Sequence, residues 1–319
     1  KKYVPSLLRT IITKKKYNSL LNIEKYAAID IGSNAIRLLI ATVTEMGEKP
    51  PHFKKTSLVR VPIRLGADVF LEGKISERNI GRMLDAMQAF QLLMKTHGIS
   101  SYRACATSAM REANNGEAVA KVIFDATGID IEIIDGEIEA SLIASTDLRN
   151  LIDSEKTFLY VDVGGGSTEF TVFAEGRTVT SKSFKLGTVR VLNDMVRETI
   201  WEEVKSWIQK NTKKYEKVSL IGSGGNINSI YKASGKKIGK PLSYFFLADY
   251  FEKLKSYTYH ERIYELEMNA DRADVIIPAT KIYLSAMKWS KAKNIYVPKI
   301  GLADGIIKDL YSQKLKYKT

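Results

Sequence analysis

Short apolar runs separated by polar turns set the rhythm of this chain. Residues 26–31 are apolar and end in Asp30-Ile31-Gly32, and a second apolar run, 36–43, follows at once. Gly47 and Pro50-Pro51 close the hairpin, so the segment predicts strand, tight loop, strand, with 57–62 as a third strand. Ile80, Met83, Leu84, Met87, Phe90, Leu93 and Met94 then recur at helical spacing between Ser76, an N-cap residue, and Gly98. That stripe predicts a core-facing helix. Residues 102–107 and 130–134 read as strands around a helix that opens at Asn115-Gly116 and stops at Gly128. Asp135-Gly136 leads into a helix near 139–148. Alternating strands and helices predict an α/β fold.

The pattern restarts at 157–163, which ends in Asp162-Val163-Gly164-Gly165-Gly166-Ser167. Strands are expected at 170–174 and 179–185 around a turn at Gly176, and a helix at 193–213. Residues 218–222 form a strand feeding Ser223-Gly224-Gly225-Asn226 and another helix. Residues 248–289 are largely helical, 294–297 a last strand and 301–311 a closing helix that returns to the first lobe. Asp30-x-Gly-Ser and Asp162-x-Gly-Gly-Gly-Ser stand 132 residues apart at equivalent places, each between the strands of a hairpin. A repeat of that length is a repeated domain. Two similar lobes with a cleft between them are expected. Residues 1–25 would be a basic lead-in, 26–136 with 301–319 the first lobe, and 137–300 the second, with a hinge near 135–140.

Charge narrows the partners. The 319 residues carry 49 Lys and Arg against 36 Asp and Glu, a net charge of +13. Such a field attracts polyanions. The single Cys105 excludes an internal disulfide framework and a Cys-rich zinc site, and it fits a reducing compartment. No apolar run approaches the roughly 20 residues of a membrane span. Lys1-Lys2, an apolar patch at 6–12 broken by Arg9, and Lys14-Lys15-Lys16 do not make a secretory signal. The cytoplasm is the expected setting, and the missing initiator Met suggests a trimmed start.

Three Gly/Ser loops follow strands: Gly32-Ser33-Asn34, Gly164-Gly165-Gly166-Ser167 and Gly222-Ser223-Gly224-Gly225. Such loops point consecutive N–H groups at an anion, and the helix after Gly225 adds its N-terminal dipole. No GxxxxGK[ST] or GxGxxG occurs, which disfavours a P-loop NTPase or a Rossmann dehydrogenase. Asp162 and Glu169 flank the second loop seven residues apart, so a hairpin lets them converge on one hard cation. Glu137 and Glu139 stand at i and i+2, so on a helix they diverge and at most one enters the cleft. Arg111 lies between a strand and a helix, where a guanidinium can grip phosphate bidentately. His52, His97 and His260 share no metal spacing, no GxSxG elbow exists, and Cys105 reads as a packed thiol.

These residues, in this order, resemble a known family. The segments are Ala28-Ile-Asp-Ile-Gly-Ser-Asn-Ala-Ile-Arg-Leu-Leu-Ile, Ala106-Thr-Ser-Ala-Met-Arg, Ile134-Asp-Gly-Glu-Ile-Glu-Ala, Val161-Asp-Val-Gly-Gly-Gly-Ser-Thr-Glu, Ile221-Gly-Ser-Gly-Gly and Arg272-Ala-Asp-Val-Ile-Ile-Pro. The chain resembles the exopolyphosphatase / guanosine pentaphosphate phosphohydrolase family, of the actin-like ATPase and sugar-kinase superfamily, over about residues 26–312. The resemblance implies two duplicated actin-like (ribonuclease H-like) lobes around a central cleft. It also implies processive or stepwise Mg²⁺-assisted hydrolysis of the terminal phosphate of inorganic polyphosphate. On the same resemblance Glu139 is the base for the attacking water, Asp162 and Glu169 bind metal, and Arg111 contacts phosphate. Gly32, Ser33, Asn34, Gly164, Gly165, Gly166, Ser167, Gly222, Ser223, Gly224 and Gly225 make the phosphate loops. Many members have adjacent acids where Ile138 separates Glu137 and Glu139, and long members carry a further C-terminal domain, so the short two-domain form is implied. Guanosine pentaphosphate is the alternative substrate, ATP turnover a third, and non-catalytic binding of polyphosphate or nucleic acid a fourth. No membrane or sequence-specific nucleic-acid partner is expected, and residues 248–289 offer room for a homodimer surface.

Overall fold

Two sheets with matching strand order organise the computed structural model, which describes residues 21–146 and 156–318. The first holds β1 (Leu21–Ile31), β2 (Ile36–Met46), β3 (His52–Val61), β4 (Ser101–Ala106) and β5 (Ile131–Ile133), in the order β3-β2-β1-β4-β5. The second holds β6 (Thr157–Val163), β7 (Thr168–Ala174), β8 (Arg177–Phe184), β9 (Val218–Ser223), β10 (Leu242–Ser243) and β11 (Asn294–Tyr296), in the order β8-β7-β6-β9-β11-β10. In each sheet three strands pair antiparallel, and the strand bearing the Asp-x-Gly loop then pairs parallel with a later one. The repeat seen in the sequence is therefore a repeat of topology, and the fold is the duplicated actin-like α/β architecture.

Side-chain alternation decides what each face does. Ala27, Ile29 and Ile31 of β1 enter an outer core with Met83, Met87 and Phe90 of the helix Glu77–His97. Leu159, Val161 and Val163 of β6 enter a second outer core with the helices Glu198–Thr212 and Ile276–Ser290. The opposite parity, Tyr26 and Ala28 of β1 with Phe158 and Tyr160 of β6, meets in a third core between the sheets. The helix Leu302–Lys318 supplies Leu302, Ile306, Ile307 and Tyr311 to that shared core.

Several elements differ from expectation. β1 begins at Leu21, so residues 21–25 of the expected lead-in pair with β2, from Leu21 opposite Met46. Leu21 and Ile23 alternate with Asn22 and Glu24, but residues 21–23 are exposed on both faces, so pairing with β2 and not burial makes them strand. The rest of that lead-in, residues 1–20, lies outside the described residues. β3 spans His52–Val61, and its pairing shifts register at Ile40/Ala41. The helix Leu65–Glu72 was not expected; it starts behind Arg64, whose φ of 66° is left-handed. The helix expected near 139–148 is Gly136–Ala144, and 147–148 fall outside the described residues. That expected at 193–213 is Glu198–Thr212, behind a short turn of helix at Thr188–Leu192. The stretch 248–289 divides into Tyr244–Ser256, Tyr259–Tyr264, Ala270–Ala273 and Ile276–Ser290, the second opened by a Thr258–Glu261 capping box. The closing helix continues to Lys318 because its end is tied down: Tyr311 donates to Glu45 and Lys314 pairs with Glu24. No helix among the described residues is long and apolar enough to cross a membrane.

One glycine sets the distance between two of these elements. A Cβ on Gly305 would stand 2.1 Å from the Leu142 carbonyl oxygen, so the helices Leu302–Lys318 and Gly136–Ala144 touch backbone to backbone. Helix propensity alone would make Gly305→Ala stabilising by about 0.5–1 kcal/mol. Packing wins here. We expect Gly305→Ala to destabilise the protein by about 1–3 kcal/mol, read as a lowered denaturant midpoint at unchanged slope.

Candidate active site

The strands that supply the shared core also supply the site. Continuing the parity of Tyr26 and Ala28 puts Asp30 at the cleft, and that of Phe158 and Tyr160 does the same for Asp162. Asp162 stands directly opposite Glu169 across β6–β7, and Asp30 opposite Arg37 across β1–β2. Asp30, Arg37, Asp162 and Glu169 all line one cavity of about 240 Å³ between the sheets. Glu139 joins them from the helix Gly136–Ala144, whose N-cap Asp135 accepts from the Glu137 and Ile138 amides. The two helix acids diverge as their spacing predicted: Glu137 is exposed and Glu139 only 9% exposed.

The three Gly/Ser loops converge on the same cavity. Gly32, Ser33, Asn34, Gly164, Gly165, Ser167, Ser223, Gly224 and Gly225 are on its wall. Gly224 has φ 111°, a conformation that L side chains rarely adopt, and it starts the helix Gly225–Ala233 without any side-chain cap. That end therefore offers unpaired N–H groups and a positive dipole to an anion. Gly166 and Gly222 stand behind the wall. The space at Gly166 is filled by Phe70 and Ser108, and that at Gly222 by Ile295 and Ile227. Asn34 also works across the cleft, its Nδ2 donating to the Asp271 carbonyl at 3.0 Å. Arg111 is not on the wall either: Nη1 donates to the Ile134 carbonyl at 2.6 Å.

Burial shifts these acids toward their protonated forms, and crowding adds to it at Glu139, Asp162 and Glu169. Burial pushes Glu139 well above the usual carboxylate range; Glu169, Asp162 and Asp30 push the same way, and Arg111 opposes them. Burial takes Glu169 to about 7, against hydroxyl donors Ser167 at 2.6 Å and Ser183 at 2.8 Å. Asp162 is raised by burial, with Ser223 and Arg37 opposing. Glu139 Oε2 is buried without a hydrogen-bond partner.

Some of this lay beyond the sequence reading. Ser183 was missed, although it sits opposite Glu169 in the β7–β8 register. Arg37 was missed too, although its offset from Asp30 equals that of Glu169 from Asp162. Arg272, quoted only within a motif, lines the cavity and donates to Ser229 Oγ at 2.7 Å and the Gly225 carbonyl at 3.2 Å.

A profile of the Ppx/GppA phosphatase family matches residues 48–314. The chain belongs to that family. Among curated relatives, the bifunctional 3-dehydroquinate synthase/phosphatase of Fusobacterium nucleatum is 32% identical over 67% of this chain and 34% of its own length. Exopolyphosphatase 2 of Mycobacterium tuberculosis is 34% identical over 52% of this chain and 53% of its own. The chain thus spans a third to a half of the length of these curated relatives. Among solved structures, an exopolyphosphatase from Cytophaga hutchinsonii superposes with a TM-score of 0.78 at 23% identity, covering 91% of this chain and 98% of that one. The Aquifex aeolicus family member gives 0.72 at 24%, covering 92% and 99%. At these identities the superpositions establish the fold of the Ppx/GppA lobes.

The crowded acids imply a pH signature. A carboxyl whose folded pKa is raised favours the folded state below its unfolded value and loses that contribution as pH rises through the folded value. For Glu169 the window runs from about 4.5 to about 7. In chelator, thermal stability is expected to fall across that window more steeply for the wild type than for Glu169→Gln, measured by scanning calorimetry. Equal slopes would show that Glu169 ionises as an ordinary acid.

Proposed function

We propose that the chain hydrolyses the terminal phosphoanhydride bond of inorganic polyphosphate. One observation carries this reading. A buried carboxylate oxygen of Glu139, without a partner, stands in a cavity walled by phosphate-type loops from both lobes. Family membership and the relatives named exopolyphosphatase support it.

The donor set also suits Mg²⁺. Among the described residues no three His, Cys, Asp or Glu side chains form a ready metal cage. Mg²⁺ does not ask for one, because it is held by one or two carboxylates together with substrate phosphates and water. Asp162 and Glu169 are that pair, opposed across a hairpin and pressed toward protonation by burial. Bound there, Mg²⁺ would draw charge from the phosphate oxygens during transfer.

The chain's own residues supply the rest. Amides of the Gly32, Gly164 and Gly224 loops bind the terminal phosphates from both sides and orient the reacting phosphorus. Glu139 accepts a proton from water as its oxygen forms the new P–O bond, and the bond to the bridging oxygen breaks. Orthophosphate and a chain shortened by one unit leave. When the charges of Asp162 and Glu169 are balanced, the repulsion on Glu139 falls and it ionises more readily. Arg111 favours the same state from behind. Lys55, Arg60 and Lys299 line the cavity too, and with the net charge of +13 they suit a linear polyanion.

Orthophosphate release from medium- and long-chain polyphosphate tests the reading, with guanosine pentaphosphate and ATP alongside. Wild type is expected to turn over polyphosphate with Mg²⁺ and not with EDTA. Glu139→Gln should lose about 10²–10⁴-fold in kcat while still binding polyphosphate. A wild type that releases no phosphate from any polyphosphate while cleaving a nucleotide would move the substrate. Undiminished activity of Glu139→Gln would remove the base.

A further inference from the structure

Asp30 and Arg37 hold in the first sheet the register positions that Asp162 and Glu169 hold in the second. The duplicated lobes therefore differ in charge at one matched place. In the first, Arg37 Nη1 lies 3.0 Å from Asp30 Oδ2. In the second, the partners are hydroxyls: Ser223 on Asp162 at 3.0 Å, Ser167 and Ser183 on Glu169. A hydroxyl satisfies a lone pair but cancels no charge. The parallel neighbour differs as well. Cys105, a weak donor, faces Asp30 where Ser223 faces Asp162. So Asp30 carries its own counter-charge, while Asp162, Glu169 and the unpartnered Glu139 do not.

We propose that Arg37 permanently fills the first-lobe cation position, so that the cleft takes a single divalent cation, on the Asp162–Glu169 side. Arg37 is then a positioning residue, acting through the charge balance of the two lobes. Its charge already reaches Asp162, whose ionised form it favours. At an effective dielectric constant of about 20, a unit charge a few ångströms away changes cation binding by tenfold or more. The proposal rests on the phosphohydrolase reading for the presence of a cation, but its test needs no substrate.

The experiment is calorimetric titration of the substrate-free full chain with Mg²⁺, repeated with Mn²⁺ and read by its spin-resonance signal. Wild type should bind a single cation. Arg37→Gln exposes the Asp30 carboxylate and should either admit a second cation or tighten the first about tenfold. Adding Asp30→Asn to it should restore wild-type stoichiometry, and Arg37→Lys should keep it. If Arg37→Gln does not fold, Asp30→Asn alone carries the test: it leaves Arg37 uncompensated and should weaken the cation about tenfold. The proposal is overturned if wild type binds two cations or none, or if these variants leave stoichiometry and affinity unchanged and only raise KM for polyphosphate. A single-cation titration in a wild type that releases no phosphate would remove the substrate reading and leave this assignment standing.

Discussion

Successive side chains of a strand leave on opposite faces, and the site depends on that one constraint. Tyr26 and Ala28 pack between the sheets, so Asp30 must reach the cleft at the strand's end; Phe158 and Tyr160 do the same for Asp162. Leu39 and Ala41 bring Arg37 to that face, and Phe173 brings Glu169. A slip of one residue in either hairpin would send these charges into outer cores of Ile, Leu, Met and Phe. Burying an unpaired charge there costs several kcal/mol or more, so the apolar residues of the strands hold the polar ones in register.

The cleft is held together by a second set of charges. Arg60 pairs with Asp271, Arg64 with Asp274 at 2.6 Å, and Arg190 with Glu112 at 2.6 Å. These partners come from distant parts of the chain, and they bracket the cavity rather than fill it. Asp271 also receives Asn34 of the first loop and precedes Arg272, which braces the helix Gly225–Ala233. The contacts across the cleft and the wall of the site are thus built from the same few residues. Inside, four buried acids line one cavity, and Glu169, Asp162 and Asp30 add to the effect of burial in raising the affinity of Glu139 for a proton. That is a local destabilisation of the kind found where structure serves chemistry rather than stability.

The duplication is faithful in backbone and unfaithful in charge. Both lobes keep the strand order, the parallel neighbour and the acid before the loop. They differ at the residue opposite that acid, arginine in one and glutamate in the other. Backbone topology is set by apolar alternation, which tolerates either residue at a strand end facing the cleft. The chemistry is set by the charge, which does not.

The sequence by itself determined the α/β alternation, the 132-residue repeat, the three Gly/Ser loops and the pair Asp162–Glu169. Periodicity and spacing are local, and strands and hairpins obey local rules. The divergence of Glu137 and Glu139 was legible for the same reason, since helical geometry separates i from i+2. Local rules failed where neighbours decide. Residues 21–25 became strand because β2 was there to pair with them. The helix after Gly301 ran to its end because Glu45 and Glu24 hold it. Arg111 turned to the Ile134 carbonyl and Gly166 to Phe70, directions no spacing encodes. Only the tertiary structure brought Asp30, Arg37, Glu139, Asp162 and Glu169 to one cavity. Their pairing and burial, and hence their protonation, belong to contacts between residues far apart in the chain.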